Sequence, residues 1–319
     1  VGVSAVDSPS VFCAGTKNVR VKFQNFGVDT IKSVRIQWQI NSSTQTSYNW
    51  TGTLAPGATS ASLVLGTYAF SANTPYTIKA WTTNPNNLSD GRKSNDTLSV
   101  TRYAGMTGTY KISDSLNADF KSFNSAIAAF TERGICGPIT FKVAPGIYNE
   151  QITLLQLPGM GSSNPITFQS MDKDSSLVRV VLPSTVATGN NNAAIQLRGA
   201  DYIHFRGITF ERTGTNPIAQ VLHILNGSTH NTFRNCQMIG LKLTSANTSA
   251  YNIWSDQGVD DYNEFHNNYV KFGNNSVSYA GLSSTHEVGT VFVGNTFDSA
   301  YNSSVQISYN DAVNVSNNQ

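Results

Sequence analysis

One four-residue pattern recurs five times in the second half of the chain, as Phe205-Arg206-Gly207-Ile208, Phe233-Arg234-Asn235-Cys236, Phe265-His266-Asn267-Asn268, Phe292-Val293-Gly294-Asn295 and Val315-Ser316-Asn317-Asn318. The fourth residues of successive segments are 28, 32, 27 and 23 positions apart (208 to 236, 236 to 268, 268 to 295 and 295 to 318). A period of about 20–30 residues that tolerates changes of length is typical of a solenoid whose coils carry loops of variable size.

The third position of the pattern is always glycine or asparagine: Gly207, Asn235, Asn267, Gly294 and Asn317. These two residue types accept a positive φ, so we expect every coil to bend there through the left-handed region. Asparagines stacked in this column can also bond to one another along the solenoid axis. The repeat therefore predicts parallel strands stacked coil upon coil.

The composition of the chain favours an all-β protein and excludes several functional classes. Charged residues make up 13% of the 319 residues and 33 residues are asparagine, a bias toward turns and caps rather than helices. A net charge of +2 without a basic block argues against a nucleic-acid partner, and no apolar run approaches the roughly 18 residues of a membrane span. The polar, asparagine-rich composition indicates a secreted or cell-surface protein, and we expect any signal peptide to have been removed before Val1.

The first hundred residues read as short strands between turns. Val19, Val21 and Phe23 alternate with polar residues, and the same alternation follows in Val34 to Ile40 and in Tyr76 to Ala80. About seven short strands with a buried tryptophan are typical of an immunoglobulin-like β-sandwich. We assign residues 1–103 to this domain.

Several segments of this domain resemble CARDB-type Ig-like domains of Bacteroidota surface proteins: Phe12-Cys13-Ala14-Gly15, Val21-Lys22-Phe23-Gln24-Asn25-Phe26-Gly27, Leu54-Ala55-Pro56-Gly57, Ala80-Trp81, and Asn84-Pro85-Asn86 through Asp90 to Asn95-Asp96. The resemblance implies a spacer or adhesion module. Asp90, Asn95 and Asp96 are open to two interpretations, a calcium loop or ordinary turn residues.

We assign residues 104–319 to a second domain. One amphipathic helix is predicted at the start of this domain. Asp119 is the expected N-cap, the apolar stripe is Phe120, Phe123, Ile127 and Phe130, and Gly134 is the expected left-handed C-terminal residue. Such a helix would cover the open end and the unpaired strand edges of the first coil.

Residues 109–319 resemble right-handed parallel β-helix domains of the pectate-lyase-like superfold. The resemblance rests on Gly134-Ile135-Cys136-Gly137-Pro138-Ile139-Thr140-Phe141 and on Pro145-Gly146-Ile147-Tyr148-Asn149-Glu150, where Glu150 is expected to bond to neighbouring backbone. The chain stops at Gln319 inside the repeat, which leads us to expect that a longer polypeptide continues the solenoid.

The second position of the repeat supplies the candidate substrate-binding residues. It reads Arg206, Arg234, His266, Val293 and Ser316, so three basic side chains would line one strip suited to the carboxylates or hydroxyls of a sugar chain. The alternative is a solvated face in which the arginines pair with Glu211, Glu264 or Asp261. We also expect His223 to face outward, with Trp254 and Tyr251 serving as stacking platforms or as core residues.

A second column, Glu211, Ile239, Lys271 and Asp298, supplies the candidate base. The resemblance to β-helix polysaccharide lyases implies that Lys271 removes a proton α to a uronate carboxyl, which requires its pKa to fall well below 10. Asp256, Asp260 and Asp261 are candidate calcium ligands, Asp256 and Asp260 above all. Asp256 and Asp261 are also candidates for the acid/base pair of a hydrolase. The alternative is that all three residues form turns.

The spacing of the three cysteines, Cys13, Cys136 and Cys236, matches neither a zinc site nor a disulfide framework. We therefore expect each cysteine to be buried and to pack as a small hydrophobic residue. Two functions stay open. One is an extracellular polysaccharide lyase or glycoside hydrolase, with calcium as the only candidate cofactor. The other is a non-catalytic glycan-binding adhesin or stalk, because fold alone does not establish activity.

Overall fold

The computed structural model describes residues 1–183, 192–216, 218–245, 249–256 and 258–319. The chain divides into two compact units, Val1–Thr107 and Gly108–Gln319. The structure is nearly all β with 6% helix, which confirms the predicted class. None of the helices in the described ranges has the length and apolar character needed to span a membrane.

The first unit is a β-sandwich of two antiparallel sheets. Its strands are β1 (Gly2–Ser8), β2 (Gly15–Gln24), β3 (Ile31–Ile40), β4 (Ser43–Thr44), β5 (Tyr48–Leu54), β6 (Leu63–Phe70), β7 (Pro75–Thr83) and β8 (Thr97–Tyr103), with short 3-10 helices at Pro85–Asn87 and Lys93–Asn95. One sheet has the order β1-β2-β6. The five-stranded sheet has the order β4-β3-β7-β8, with β5 also paired to β3.

The sandwich core follows the alternation in the sequence. Val19, Val21 and Phe23 of β2 are fully buried, and so are Ile36 and Ile78 of the opposite sheet. Trp38 is 2% exposed, and its indole Nε1 donates a hydrogen bond to the carbonyl of Thr46 at 2.9 Å. The Ig-like sandwich predicted from the sequence is therefore confirmed.

The second unit is a right-handed parallel β-helix of about seven turns. Sheet 1 contains β9 (Met106–Ile112), β10 (Ile135–Val143), β13 (Ile166–Ser170), β16 (Ile203–Arg206), β19 (Thr232–Arg234), β22 (Glu264–His266), β26 (Val291–Val293) and β30 (Asn314–Ser316). Sheet 2 contains β11 (Gly146–Tyr148), β14 (Val178–Pro183), β17 (Thr209–Thr213), β20 (Gln237–Ile239), β23 (Tyr269–Lys271) and β27 (Thr296–Asp298). Sheet 3 contains β12 (Ile152–Leu155), β15 (Ala193–Arg198), β18 (Gln220–Leu225), β21 (Tyr251–Asp256), β24 (Asn275–Ala280) and β28 (Ser303–Ser308), and a two-stranded pair joins β25 (Glu287–Val288) to β29 (Asn310–Asp311).

Sheet 1 pairs the five repeat segments in parallel and in the predicted register. Phe205 lies opposite Phe233, which lies opposite Phe265, and the column continues to Phe292 and Val315. The third residues all have a left-handed backbone, with φ of 62° at Gly207, 53° at Asn235, 53° at Asn267, 70° at Gly294 and 55° at Asn317. The predicted bend in every coil is thus confirmed.

The interior of sheet 1 is a continuous stack of aromatic rings. Neighbouring ring centroids lie 4.6–5.4 Å apart along Phe141, Phe168, Phe205, Phe233, Phe265 and Phe292. All six side chains are fully buried. The stack joins successive coils through side-chain contacts in addition to backbone hydrogen bonds.

The asparagine ladder occupies the fourth position of the repeat rather than the predicted third. The side-chain oxygen of Asn268 accepts a hydrogen bond from the backbone N–H of Cys236 at 2.9 Å, and Asn295 and Asn318 repeat this contact one coil further on. The third position is exposed at Asn235 and Asn267, whereas Asn268 and Asn295 are buried. A buried amide must be satisfied within the protein, and this requirement selects the fourth position for the ladder.

Helix α1 (Phe123–Arg133) begins later than predicted. Ser122 is the N-cap and forms a capping box with Ser125, whereas the Asp119 carboxylate accepts a hydrogen bond from the backbone N–H of Lys111. Glu150 accepts hydrogen bonds from the backbone N–H groups of Phe123 and Asn124 at 3.0 and 2.8 Å. Glu150 therefore holds the first turn of α1 in place, as its predicted structural role required.

The prediction for the cysteines is wrong at two of three positions. Cys13 and Cys136 are disulfide-bonded, and only Cys236 is a free, buried thiol. Cys13 is exposed and Cys136 half-buried, so neither acts as a core hydrophobe.

Candidate functional site

The predicted arginine column lines a shallow cleft on the outer face of sheet 1. Arg206 and Arg234 are register partners at the ends of β16 and β19, and both side chains are exposed. The cleft has a volume of about 220 Å³, and we call it the basic cleft; its lining is Gln169, Lys173, Arg206, Gly207, Arg234 and Asn235. Among the described residues, no carboxylate lines this cleft, and three of its lining side chains are cationic.

The outward column of sheet 1 extends beyond the cleft in both directions. Lys142 and Gln169 precede Arg206 in register, and His266 follows Arg234. His266 Nε2 lies 2.9 Å from a carboxylate oxygen of Glu264, so its imidazole is already engaged. The structure brings together the three predicted binding residues Arg206, Arg234 and His266 on one strip.

The acidic residues that were alternative partners of the arginines are engaged elsewhere. Glu211 forms an ion pair with Arg179, and Asp261 accepts a hydrogen bond from the backbone N–H of Val288 at 2.7 Å. Within the described parts of the chain, no ion pair joins Arg206 or Arg234 to a carboxylate. Two neighbouring guanidinium groups thus face solvent without a counter-charge.

His204 is a residue of this face that the sequence analysis missed. It lies two residues before Arg206 on β16, and burial, reinforced by the positive charge of Arg206, lowers its pKa. Its Nδ1 atom is buried and has no hydrogen-bond partner among the residues that the structure describes. The imidazole is therefore neutral at neutral pH.

Lys271 does not have the properties that a general base requires. It lies in the predicted column, with Ile239 on one side and Asp298 on the other, in sheet 2. Its Nζ atom is 3.1 Å from a carboxylate oxygen of Asp298, and hydrogen bonds to Tyr269 and Asp298 raise its pKa. A general base would need the opposite shift of its pKa.

Asp260 and Glu287 form a buried carboxyl pair bridged by a serine. Ser255 Oγ lies 3.1 Å from Asp260 Oδ2 and 2.7 Å from Glu287 Oε1, and both acidic side chains have no exposed surface. A hydroxyl carries one proton, so it can donate to only one of them and must accept from the other in its acid form. Burial raises the pKa of Asp260 to about 6 and that of Glu287 to about 7, in agreement with a shared proton.

Removing the charge of this pair should change how stability depends on pH. Both folded-state pKa values lie above the ordinary 3.8 and 4.5, so the unfolded chain releases its protons first and the free energy of unfolding falls as pH rises from about 4 to about 7. We therefore compare the free energy of unfolding of Glu287→Gln with that of the unaltered chain at two pH values. The difference in favour of the variant should be about 1–2 kcal/mol larger at pH 8 than at pH 4.5. Urea unfolding at both pH values measures this difference.

The control for this experiment is Glu132→Gln, which makes the same chemical change at an exposed position of α1. Its difference from the unaltered chain should be the same at both pH values. A pH-independent difference for Glu287→Gln would show that the two buried carboxyls do not share a proton.

Asp260 has a further structural contact, with the backbone of a neighbouring coil. Asp260 also accepts a hydrogen bond from the backbone N–H of Ser228 at 2.8 Å, which fixes the loop that precedes β22. The side chain of Asp256 lies outside the described residues. Among the described residues, no group of three or more acidic, histidine or cysteine side chains is placed to hold a metal ion. Asp260 is fully buried, and its two carboxylate oxygens already accept hydrogen bonds from Ser228 and Ser255, so calcium binding at Asp256 and Asp260 stays a prediction.

His223 is buried, contrary to prediction. It lies opposite Trp254 in sheet 3, and the two rings stack with centroids 4.1 Å apart at 10°. Tyr251 stacks on the same indole at 5.3 Å. The alternation of β18 directs His223 away from the solenoid interior, but its exposed fraction is zero, whereas Trp254 and Tyr251 are half-buried.

No protein-family model matches this chain, and no curated protein matches it by sequence. Among solved structures, pectin methylesterase from Erwinia chrysanthemi is 12% identical, covers 61% of this chain and 67% of its own, and has a TM-score of 0.41. The CARDB domain of a Pyrococcus furiosus protein, solved in complex with di-metal ions, is 19% identical, covers 30% and 78%, and has a TM-score of 0.24.

A rhamnogalacturonan lyase is a further neighbour, at 9% identity, 66% and 63% coverage and a TM-score of 0.32. The neighbours thus include a CARDB domain and polysaccharide-acting enzymes with a β-helix. At these identities and TM-scores the likeness carries no conclusion about what this chain binds. None of these neighbours bears on the Bacteroidota origin, which stays a prediction from the sequence.

Proposed function

We propose that this chain is an extracellular, polysaccharide-directed β-helix protein that holds an acidic polysaccharide in the basic cleft without cleaving it. The observation that carries the proposal is the pair Arg206 and Arg234, exposed, adjacent in register and without a carboxylate partner among the described residues. Register partners of neighbouring coils lie about 4.8 Å apart, so their charges repel unless an anion lies between them. A guanidinium group binds a carboxylate or sulfate through two parallel hydrogen bonds.

The lining of the cleft favours binding over catalysis. A glycoside hydrolase needs two carboxyl groups beside the scissile bond, and none of the described residues that line the basic cleft carries a carboxylate. The buried pair Asp260 and Glu287 cannot reach a polymer, and Lys271 has a raised pKa. These observations support the non-catalytic alternative.

Cleavage by β-elimination is the second candidate, and His204 is the observation that favours it. Its lowered pKa keeps the imidazole neutral, the state in which it accepts a proton, two residues from Arg206. In this alternative Arg206 would neutralise the uronate carboxylate and His204 would remove the proton α to it. The C–O bond of the glycosidic oxygen at the β carbon would break as the double bond forms, and that oxygen would take a proton from water.

The disulfide-bonded state of Cys13 and Cys136 supports a location outside the cytoplasm. Disulfides persist in oxidising compartments and on cell surfaces, and are rare in the reducing cytosol. We therefore extend the proposal to secretion or surface display.

Affinity electrophoresis of the full chain in gels containing polygalacturonate or alginate tests the proposed function. We expect retarded migration that disappears as NaCl rises from about 50 to about 500 mM, because exposed charges are screened. The same incubations should yield no unsaturated products and no new reducing ends. Migration unaffected by every acidic polymer would contradict binding, whereas unsaturated products that His204→Gln abolishes would establish the second candidate.

A further inference from the structure

Two adjoining clefts lie at one end of the five-stranded sheet of the Ig-like unit. The first has a volume of about 500 Å³ and the second about 440 Å³, both within the range of about 300–1,000 Å³ typical of small-ligand sites. Asn84 and Asn87 line both clefts and form the boundary between them. Trp81 lines the first cleft and Trp50 the second.

Trp81 points away from the sandwich core. Along β7 the residues Tyr76, Ile78, Ala80 and Thr82 are buried, so Trp81 lies on the opposite, outer face of the sheet, where Gln37 and Thr97 are its register partners. The other tryptophans have packing contacts, with Trp38 in the core, Trp50 against Phe23 and Trp254 against His223. Trp81 is half-buried, and the ammonium group of Lys79 lies 5.5 Å from the centroid of its ring.

The loop that carries the two shared asparagines is held rigidly. Asn86 Oδ1 accepts hydrogen bonds from the backbone N–H groups of Lys32 and Ser33, and Asn86 Nδ2 donates to the carbonyl of Thr30 at 3.0 Å. Asn84 and Asn87 have left-handed backbones, with φ of 52° and 62°. Their side chains are exposed and make no hydrogen bond within the described part of the chain, so two amides are presented to the clefts in a fixed position.

The charged groups around the two clefts are of both signs. Asp90, Asp96 and Lys93 line the first cleft, and Arg35 lines the second. The N-terminal ammonium group of Val1 pairs with Asp90 at 2.8 Å. Carboxylates are therefore mixed with cationic groups here, in contrast to the basic cleft of the solenoid. An aromatic ring covers the apolar face of a pyranose, and amide and hydroxyl side chains satisfy its hydroxyl groups.

From these features we infer that the Ig-like unit binds a neutral saccharide, with Trp81 as the stacking platform and Asn84 and Asn87 as the hydrogen-bonding groups. This site is separate from the basic cleft and does not depend on the proposed function of the solenoid. The chain would then hold two kinds of glycan, one through charge and one through stacking and neutral hydrogen bonds.

Isothermal titration of the full chain with neutral oligosaccharides of glucan, xylan and mannan, in about 0.3 M NaCl to screen charge, tests the inference. We expect one of these series to bind, and Trp81→Ala to weaken that binding roughly tenfold or more. Asn84→Gly/Asn87→Gly should weaken it as well, because glycine keeps the left-handed backbone and removes only the amides.

The matched control is Asn73→Gly, an exposed asparagine with φ of 56° in the β6–β7 turn, outside both clefts, and it should bind normally. Arg206→Glu/Arg234→Glu should also bind neutral sugars normally, which separates this site from the basic cleft. The inference would be overturned if none of the three series bound the chain. It would also be overturned if Trp81→Ala and Asn84→Gly/Asn87→Gly bound as tightly as Asn73→Gly does.

Discussion

Arg206→Glu/Arg234→Glu should lose all measurable retention in polygalacturonate and alginate gels at low salt. The two guanidinium groups are adjacent in register and lie at the centre of the basic cleft, so reversing both replaces attraction by repulsion along the path of the polymer. Like charges that face each other across an interface cost several kcal/mol, which exceeds the affinity of a weak glycan site. Affinity electrophoresis at about 50 mM NaCl measures the loss.

A charge-matched control separates a site from a general effect of net charge. Lys17→Glu/Arg92→Glu changes the formal charge by the same amount at positions of the Ig-like unit outside the basic cleft. This control should migrate as the unaltered chain does in acidic gels, after correction for its mobility without polymer. Equal losses in both double variants would mean that the binding is non-specific attraction, and the basic cleft would not be the site.

Phe233→Ala should lower the free energy of unfolding of the solenoid by about 3–5 kcal/mol, the range for removing a fully buried phenylalanine. Its ring is fully buried and stacks between Phe205 and Phe265 at centroid distances of 5.3 and 5.4 Å. Deleting it interrupts the aromatic stack in the middle and leaves a cavity that neighbouring coils cannot close without breaking their register. Urea unfolding followed by circular dichroism measures the change.

Arg234→Ala is the control for this prediction, because it changes the next residue of the same strand on the exposed side. Its effect should lie within about 0.5 kcal/mol, as for most surface substitutions. Urea unfolding of Arg206→Glu/Arg234→Glu establishes in the same way that the variant used for binding is folded. If Phe233→Ala and Arg234→Ala destabilised the chain equally, the phenylalanine stack would not be the source of coil-to-coil stability.

The local pattern of the chain was sufficient for the fold. Glycine or asparagine at Gly207, Asn235 and Asn267 is required by the left-handed bend, and an apolar residue two positions earlier is required by the interior, so the period appears directly in the sequence. The same logic recovered the alternating strands of the sandwich, whereas the structural role of Glu150 followed from the resemblance to β-helix domains. The helix was recognised, but its start was not, because Asp119 and Ser122 are both good N-caps and only the position of Glu150 decides between them.

The register of the columns was also predictable, and with it the identity of the residues on each strip. Arg206, Arg234 and His266 share one strip because their offsets within the repeat are equal, and Lys271 and Asp298 share another for the same reason. Successive side chains of a strand point to opposite faces of the sheet, so the position of a residue within the repeat determines whether it faces the interior or the outside.

What lies beside each side chain was decided only by the tertiary structure. Hydrogen bonds to Tyr269 and Asp298 raise the pKa of Lys271. The carboxyls of Asp260 and Glu287 meet through Ser255, and the outward-directed His223 is nevertheless buried. Most of these contacts join residues from different coils, and their strength depends on distance and on exclusion of water. A sequence repeat specifies which positions are stacked, whereas the charge state of a group depends on contacts and burial that arise only when the coils and their loops are packed.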